Sequence, residues 1–312
     1  MNKKETKSVF KNPKRANELN GSDWTKFSIS VWNDITLSEK EITKGKEFFS
    51  VWNDIRKTSE ESMLHHPAMF PVMLPDRLIK CFTTSNDMNI LDPFMGSGST
   101  LLAAFNLGRR GIGFEINEEY IKLAESRMTQ DGLFVKNIPP KIYSEDARLI
   151  PEKLGSESVH LCITSPPYWD ILSQKRTADK KNIRDYGDNA GDLSRVTNYE
   201  DFLEGLIRIF EGVYKVLIPE KYCIVNVMDL RKGNRFFPLH SDLAIKMQKA
   251  GFIFDDIIIW DRRQDYNNLR SLGFPYVFRL NKIHEYLLIF QKPKKRTEET
   301  TRKISAPPRD KE

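Results

Sequence analysis

A chain of 312 residues can bury a sizeable core, and it fits one large α/β domain with decorations better than two independent folds. Apolar residues make up 39% and charged ones 29%, no apolar run is long enough to cross a bilayer, and nothing near Met1 resembles a signal peptide; a soluble cytoplasmic protein is expected. The formal charge of +6 suits a polyanionic partner, while Cys81, Cys162 and Cys223 lie too far apart for a zinc pattern or a disulfide framework and read as buried small hydrophobes, so no metal is expected.

Residues 1–28 are polar and basic with little periodicity, which reads as a flexible arm. Residues 292–312 are nearly devoid of apolar side chains and read as a disordered tail, leaving 29–291 as the domain. Within it, an apolar run ending in Ile90-Leu91-Asp92 predicts a strand, glycines predict a tight turn, and Leu101, Leu102, Ala103, Ala104, Phe105 and Leu107 predict a helix. A second strand follows over 111–115, and Asn117 caps a helix whose Tyr120, Ala124 and Met128 share a face. Further strands are predicted at 159–164, 222–227, 253–260 and 286–290, with helices near 199–215 and 239–250. Near-continuous apolar strands alternating with helices imply a mostly parallel sheet covered on both faces.

The segment Asp92-Pro93-Phe94-Met95-Gly96-Ser97-Gly98-Ser99-Thr100 joins the first of these strands to its helix, where a parallel sheet binds ligands beyond its carboxyl edge. Gly96 and Gly98 let the backbone approach a ligand closely. About 20 residues on, Glu115 ends the next strand, where its carboxylate can accept from both hydroxyls of a ribose. Asp146, at the end of a third strand, can accept from an adenine amino group. A nicotinamide-type dinucleotide site would carry G-x-G-x-x-G, which this loop lacks.

The loop 92–100 resembles the DPFxGSGTT loop of the amino-group DNA methyltransferases, which act on cytosine N4 or adenine N6, and Ser165-Pro166-Pro167-Tyr168 resembles the catalytic loop of their SPPY type. His66-Pro67-Ala68-Met69-Phe70-Pro71 is similar to the HP-x-x-x-P segment of the same family, and the resemblance extends over roughly residues 50–292. It implies a Rossmann-like class I methyltransferase fold: a mostly parallel seven-stranded sheet with helices on both faces and an antiparallel last strand. It also implies S-adenosylmethionine as cofactor. His66, Pro67 and Phe70 would close over its methionine end, with Asp92, Pro93, Phe94, Gly96, Ser97, Gly98, Ser99, Thr100, Glu115, Ile116, Asp146 and Ala147 completing the pocket.

Thr164-Ser165-Pro166-Pro167-Tyr168-Trp169 follows the fourth strand and so emerges beside the glycine loop. An exocyclic base amine is a poor nucleophile because its lone pair is delocalised into the ring. The Ser165 hydroxyl and the Pro166 carbonyl can accept its two hydrogens and hold the nitrogen pyramidal, while Pro166 and Pro167 fix the backbone and Tyr168 offers a face for the base to stack on. The base must be flipped out of the duplex to arrive there. No metal or covalent intermediate is needed, and the absence of a Pro-Cys pair argues against carbon-5 methylation. In the family a leading Ser accompanies cytosine N4 targets more often than adenine N6, so Ser165 favours cytosine and leaves adenine as the alternative.

Two polar stretches, 171–198 and 261–284, are candidates for gripping double-stranded DNA, through Lys175, Arg176, Arg262, Arg263, Arg270 and Arg279. His284-Glu285-Tyr286 resembles the family's eighth motif, which helps line the base pocket. Ser30-Val31-Trp32-Asn33-Asp34-Ile35 recurs at 50–55, either as two similar turns that each pack a Trp or as a duplicated DNA-facing element. The chain departs from the SPPY relatives in placing the DPF loop before the catalytic loop, with no large insertion for target recognition. Other readings are an RNA or protein-glutamine methyltransferase, the latter carrying Asn rather than Ser at the first position, and an inactive DNA-binding relative. A restriction-modification setting with a cognate endonuclease is the expected context.

Overall fold

The structure is a computed structural model, and it describes residues 51, 52, 54–64, 69–130, 138–170, 192–262 and 282–294. The chain begins there with β1 (Val51–Trp52), α1 (Ser59–Met63) and α2 (Met73–Phe82). Helix α1 opens on a capping box: the Thr58 hydroxyl accepts from the Glu61 amide at 3.1 Å, and the Glu61 carboxylate accepts from the Thr58 amide at 2.9 Å. Helix α2 buries Leu74, Leu78 and Ile79. Its Arg77 forks onto Asp54 through bonds of 2.8 and 2.6 Å and covers the Trp52 ring at 5.0 Å.

Strand and helix then alternate through β2 (Asn89–Asp92), α3 (Ser99–Asn106), β3 (Arg110–Phe114), α4 (Glu118–Gln130), β4 (Lys141–Tyr143), the short α5 (Ile150–Lys153), β5 (Val159–Thr164), α6 (Tyr199–Val216) and β6 (Leu217–Val227). A hairpin of β7 (Leu230–Lys232) and β8 (Arg235–Phe237) leads to α7 (Leu239–Lys249), β9 (Ile253–Asp261) and β10 (His284–Gln291). Helix α6 shows why the apolar spacing wins. Asn198 caps it by accepting from the Glu200 and Asp201 amides, and Phe202, Leu206, Phe210 and Val213 form one buried stripe. Each of those side chains contributes roughly 1.5–3 kcal/mol by leaving water.

The strands order as β1-β9-β10-β6-β5-β2-β3-β4. Neighbours are parallel except that β10 runs antiparallel to both β6 and β9. Successive residues of each strand point to opposite faces. Ile90, Leu161, Ile163 and Ile224 therefore pack with Leu74, Leu78, Ala103 and Ala104 of α2 and α3. Leu91, Cys162, Cys223 and Val225 pack with Phe202, Phe210, Leu243 and Met247 of α6 and α7. From β2 the chain steps outward to β3 and β4, then returns to lay β5 and β6 on the other side. The carboxyl ends of β2 and β5 thus flank the point where strand order reverses, the place where such sheets bind ligands. This is the Rossmann-like class I methyltransferase fold expected from the resemblance.

Beyond the seven expected strands, β1 adds a two-residue eighth by pairing in parallel with β9. In the second copy of the repeat Trp52 is fully buried and Asp54 is held by Arg77, so that copy packs a Trp. The first copy lies outside the described residues. Cys162 and Cys223 are buried, but Cys81 is only partly so, a correction to the reading of three core cysteines. Among the described residues no helix is long and apolar enough to cross a membrane, and no cluster of side chains could hold a metal ion. The N-terminal arm, most of the C-terminal tail, and most of 171–198 and 261–284 lie outside the described residues.

Candidate active site

A solvent-open cleft lies at the carboxyl rim of the sheet, lined by the glycine loop, the end of β3, the turn after β4 and the loop after β5. Gly96 and Gly98 have φ of +49° and +78°, which L side chains resist. A Cβ on Gly98 would also come within 2.8 Å of Ala124 Cβ on α4. Glycine here is what allows α3 to start tightly against α4.

Asp92 holds this loop from below. One carboxylate oxygen accepts from the Phe94 amide at 3.1 Å and the Thr164 hydroxyl at 2.6 Å; the other accepts from the Thr100 hydroxyl at 2.7 Å. Burial pushes its pKa up to about 6 against the pull of those bonds. Glu115 lies at the end of β3. Its Oε2 accepts from the Gly96 amide at 3.0 Å, and its Oε1 from the Ile116 and Asn117 amides at 2.9 Å each. Burial again outweighs the bonds from Asn117, Gly96 and Ile116, raising its pKa to about 6. Asp146 behaves differently: burial would raise it, but Arg148 binds it through side chain and backbone and holds it below the ordinary carboxylate range.

A second loop faces the same cleft. Ser165 Oγ lies 3.3 Å from Tyr168 Oη, and that hydroxyl donates to Glu285 Oε2 at 3.0 Å. Glu285, on β10, is 2% exposed and also accepts from Asn226 Nδ2 at 2.5 Å and from Arg262. Polarity follows from these partners. Ringed by three donors, Glu285 acts as the acceptor, so Tyr168 gives its hydrogen to it and can only accept from Ser165. Ser165 Oγ is left with its lone pairs free to accept. Burial and the nearby Glu285 charge hold the Tyr168 hydroxyl well above its usual pKa, which keeps that hydrogen in place.

Of the residues expected to hold a cofactor or do chemistry, Phe70, Pro93, Phe94, Gly96, Ser97, Ser99, Glu115, Ile116, Asp146, Ala147, Ser165, Pro166, Pro167 and Tyr168 line the cleft. Asp92, Gly98 and Thr100 do not; Asp92 and Thr100 are bonded beneath the loop, and Gly98 faces α4. His66 and Pro67 lie outside the described residues, as do Lys175, Arg176, Arg263, Arg270 and Arg279. Arg262 is described; it pairs with Glu285 and lies over the Trp260 ring at 4.8 Å.

The family model for N6/N4 DNA methylases matches residues 2–126 and 159–312. The chain belongs to that family. It is similar to the Type II methyltransferase M.MjaI of Methanocaldococcus jannaschii, 33% identical over 174 residues, 50% of this chain and 56% of that protein. It is also similar to the Type II methyltransferase M.HindIII of Haemophilus influenzae, 34% identical over 119 residues, 38% of each chain. The chain thus spans about half the length, or less, of these relatives. The crystal structure of TTHA0409 from Thermus thermophilus complexed with S-adenosyl-L-methionine aligns with 28% identity over 52% of this chain and 60% of that one, at a TM-score of 0.34.

The cleft fits the family's cofactor, S-adenosylmethionine, by charge. Its described lining holds four carboxylates, Glu115, Glu145, Asp146 and Asp192, and no Lys, Arg or His. Asp146 and Glu145 are paired with Arg148 and Lys153, which leaves Glu115 and Asp192 as the carboxylates that suit a ligand with ammonium and sulfonium cations better than a pyrophosphate. Asp192 and Glu145 escaped the sequence reading. Asp192 Oδ1 accepts from the Ser194 amide at 2.8 Å, and its buried Oδ2 has no hydrogen-bond partner among the described residues. The Asp-x-Ser turn was a readable signal for the first bond.

A further group braces the cleft from behind. Arg127 of α4 is 7% exposed and donates to Ser97 O at 2.7 Å, to Ser97 Oγ and Ser99 Oγ at 3.2 Å each, and to Glu61 Oε1 at 3.3 Å. Glu61, equally buried, also accepts from the Val72 amide at 2.8 Å. This buried pair ties the glycine loop to the segment carrying Met69 and Phe70.

Proposed function

We propose that the protein is an S-adenosylmethionine-dependent DNA methyltransferase that methylates the exocyclic N4 amine of a cytosine turned out of the duplex. The observation that carries this reading is the Ser165 oxygen, left as an acceptor by the Tyr168–Glu285 chain, in one cleft with the acidic wall suited to the cofactor. When bound, the cofactor supplies an electrophilic methyl group.

The protein's part is positioning. Glu115 accepts from the ribose hydroxyls and Asp146 from the adenine amine, while Phe70, Pro93, Phe94, Gly96, Ser97, Ser99, Ile116 and Ala147 surround the rest. Ser165 Oγ and the Pro166 carbonyl accept the two amino hydrogens, drawing the nitrogen lone pair out of the ring. Tyr168 offers its ring to the base, offsetting part of the unstacking cost. The names of the relatives, Type II methyltransferases, support a restriction-modification setting with an endonuclease acting on the same sequence. Adenine N6 is the second reading, because its amine presents the same two hydrogens to the same two acceptors.

The full chain incubated with methyl-labelled cofactor and duplex DNA, followed by separation of nucleosides, tests both. Label in N4-methylcytosine is the expected result. Label only in N6-methyladenine overturns the choice of base, and no label in DNA overturns the reading. Ser165→Ala should slow transfer by at least about 100-fold, on the scale of losing one transition-state hydrogen bond, with cofactor affinity intact.

A further inference from the structure

The hairpin β7–β8 has no counterpart in the sequence reading. Its sequence, Leu230-Arg231-Lys232-Gly233-Asn234-Arg235-Phe236-Phe237, holds three cations and no acid. Gly233, at φ +58°, and Asn234 form the two-residue turn, with Arg231 opposite Phe236 and Lys232 opposite Arg235. Leu230 and Phe237 are buried and root the hairpin; Phe237 packs edge-on against Trp169 at 5.0 Å. Arg231, Asn234, Arg235 and Phe236 are exposed.

Position makes this more than a solvated turn. The hairpin starts three residues past the carboxyl end of β6, whose Val225 pairs with Thr164, the residue before Ser165. It is fastened to the catalytic loop as well. Lys232 pairs with Asp170 and lies over the Trp169 ring at 4.2 Å, so the residues right after Ser-Pro-Pro-Tyr carry the hairpin's weight. Arg231 and Lys282 cover the exposed Phe236 ring at 5.5 and 4.8 Å. Cations stacked on a ring are partly ordered before any partner arrives, which lowers the entropy cost of using them.

We propose that the outer edge of this hairpin, Arg231 and Arg235 with Lys282 beside them, binds the phosphates of duplex DNA next to the target base. This rests on the DNA reading above and names the surface that grips the substrate. The charged side chains that line the cleft are all carboxylates, two of them paired with Arg148 and Lys153 outside it, so cations that draw a duplex in lie outside the cleft, at the rim. Phosphate contacts of this kind fix orientation without reading sequence.

The test is fluorescence anisotropy of labelled duplex DNA with the full chain over about 0.05–0.3 M salt, for wild type, R231Q/R235Q and R231K/R235K. Removing two phosphate contacts should lower the slope of log affinity against log salt by about 1.8 and weaken binding about 60-fold near 0.1 M salt, equally for unrelated sequences. Cofactor affinity and thermal midpoint should match wild type, and the lysine pair should keep the wild-type slope. A glutamine pair with wild-type slope and affinity, in a protein whose wild type methylates DNA, overturns the hairpin's role and leaves the function standing. A lysine pair as weak as the glutamine pair also overturns it, since shape rather than charge would then be at work. A wild type that transfers no methyl to DNA overturns both.

Discussion

Replacing Arg127 by Met is the sharpest probe of how the cleft is held. The substitution keeps volume and removes the donor shared by Ser97, Ser99 and Glu61. It strands the Glu61 carboxylate, 6% exposed, with the Thr58 and Val72 amides as its partners among the described residues. Breaking a buried pair from one side costs about 3–5 kcal/mol. Glu61→Gln should cost less, about 1–3 kcal/mol, because Arg127 keeps its neutral acceptors on the glycine loop. The double variant should be more stable than the sum of the two losses by about 1–3 kcal/mol, since neither charge is then left alone. Urea unfolding with unchanged m-values measures all three. A calorimetric titration with S-adenosylmethionine should show weakened binding in R127M, although Arg127 does not line the cleft, because Ser97 and Met69 do. Losses that add to within about 0.5 kcal/mol, or an R127M loss under about 1 kcal/mol, would refute the idea that the pair acts as one brace.

Other consequences can be measured directly. Tyr168→Phe keeps the ring and breaks the chain to Glu285, freeing Ser165 to turn its hydrogen toward the amine. Transfer should fall roughly 10–100-fold while stability drops about 1.5–3 kcal/mol, checked by single-turnover rates and urea unfolding. Glu115, with its pKa raised to about 6, is charged above that pH. Cofactor affinity should therefore fall as pH drops through about 6, and Glu115→Gln should flatten the profile in calorimetric titrations. Stability of the free protein carries the opposite sign: a carboxyl whose folded pKa is raised loses its contribution as pH climbs from the unfolded value, 4.5, to about 6.

The core of the fold could be read because its strands are unbroken apolar runs and its helices carry one-sided stripes; 159–164 and 199–215 needed nothing beyond periodicity. The glycine and Ser-Pro-Pro-Tyr loops were legible because their composition is restricted by backbone geometry. Strand β1 was not, since two residues carry no period. The hairpin had a signal, Gly233-Asn234 between short polar strands, but weak alternation hid it. The Thr58–Glu61 capping box was also there to be read. What no sequence pattern announces is pairing across the fold. Arg127 meets Glu61 from 66 positions away, and Glu285 reaches Tyr168 from 117, because helices and strands laid down separately arrive at the same rim.

Asp92 has a wider implication. One carboxylate bonds Thr100, two residues into the helix behind the glycine loop, and Thr164, the residue just ahead of Ser165. The glycine loop and the Ser-Pro-Pro-Tyr loop are therefore gauged against each other by a single side chain, through space rather than along the polypeptide. A ruler of that sort is indifferent to which loop the ribosome makes first. The chain could be cut and rejoined elsewhere, and the spacing between the two loops would be preserved.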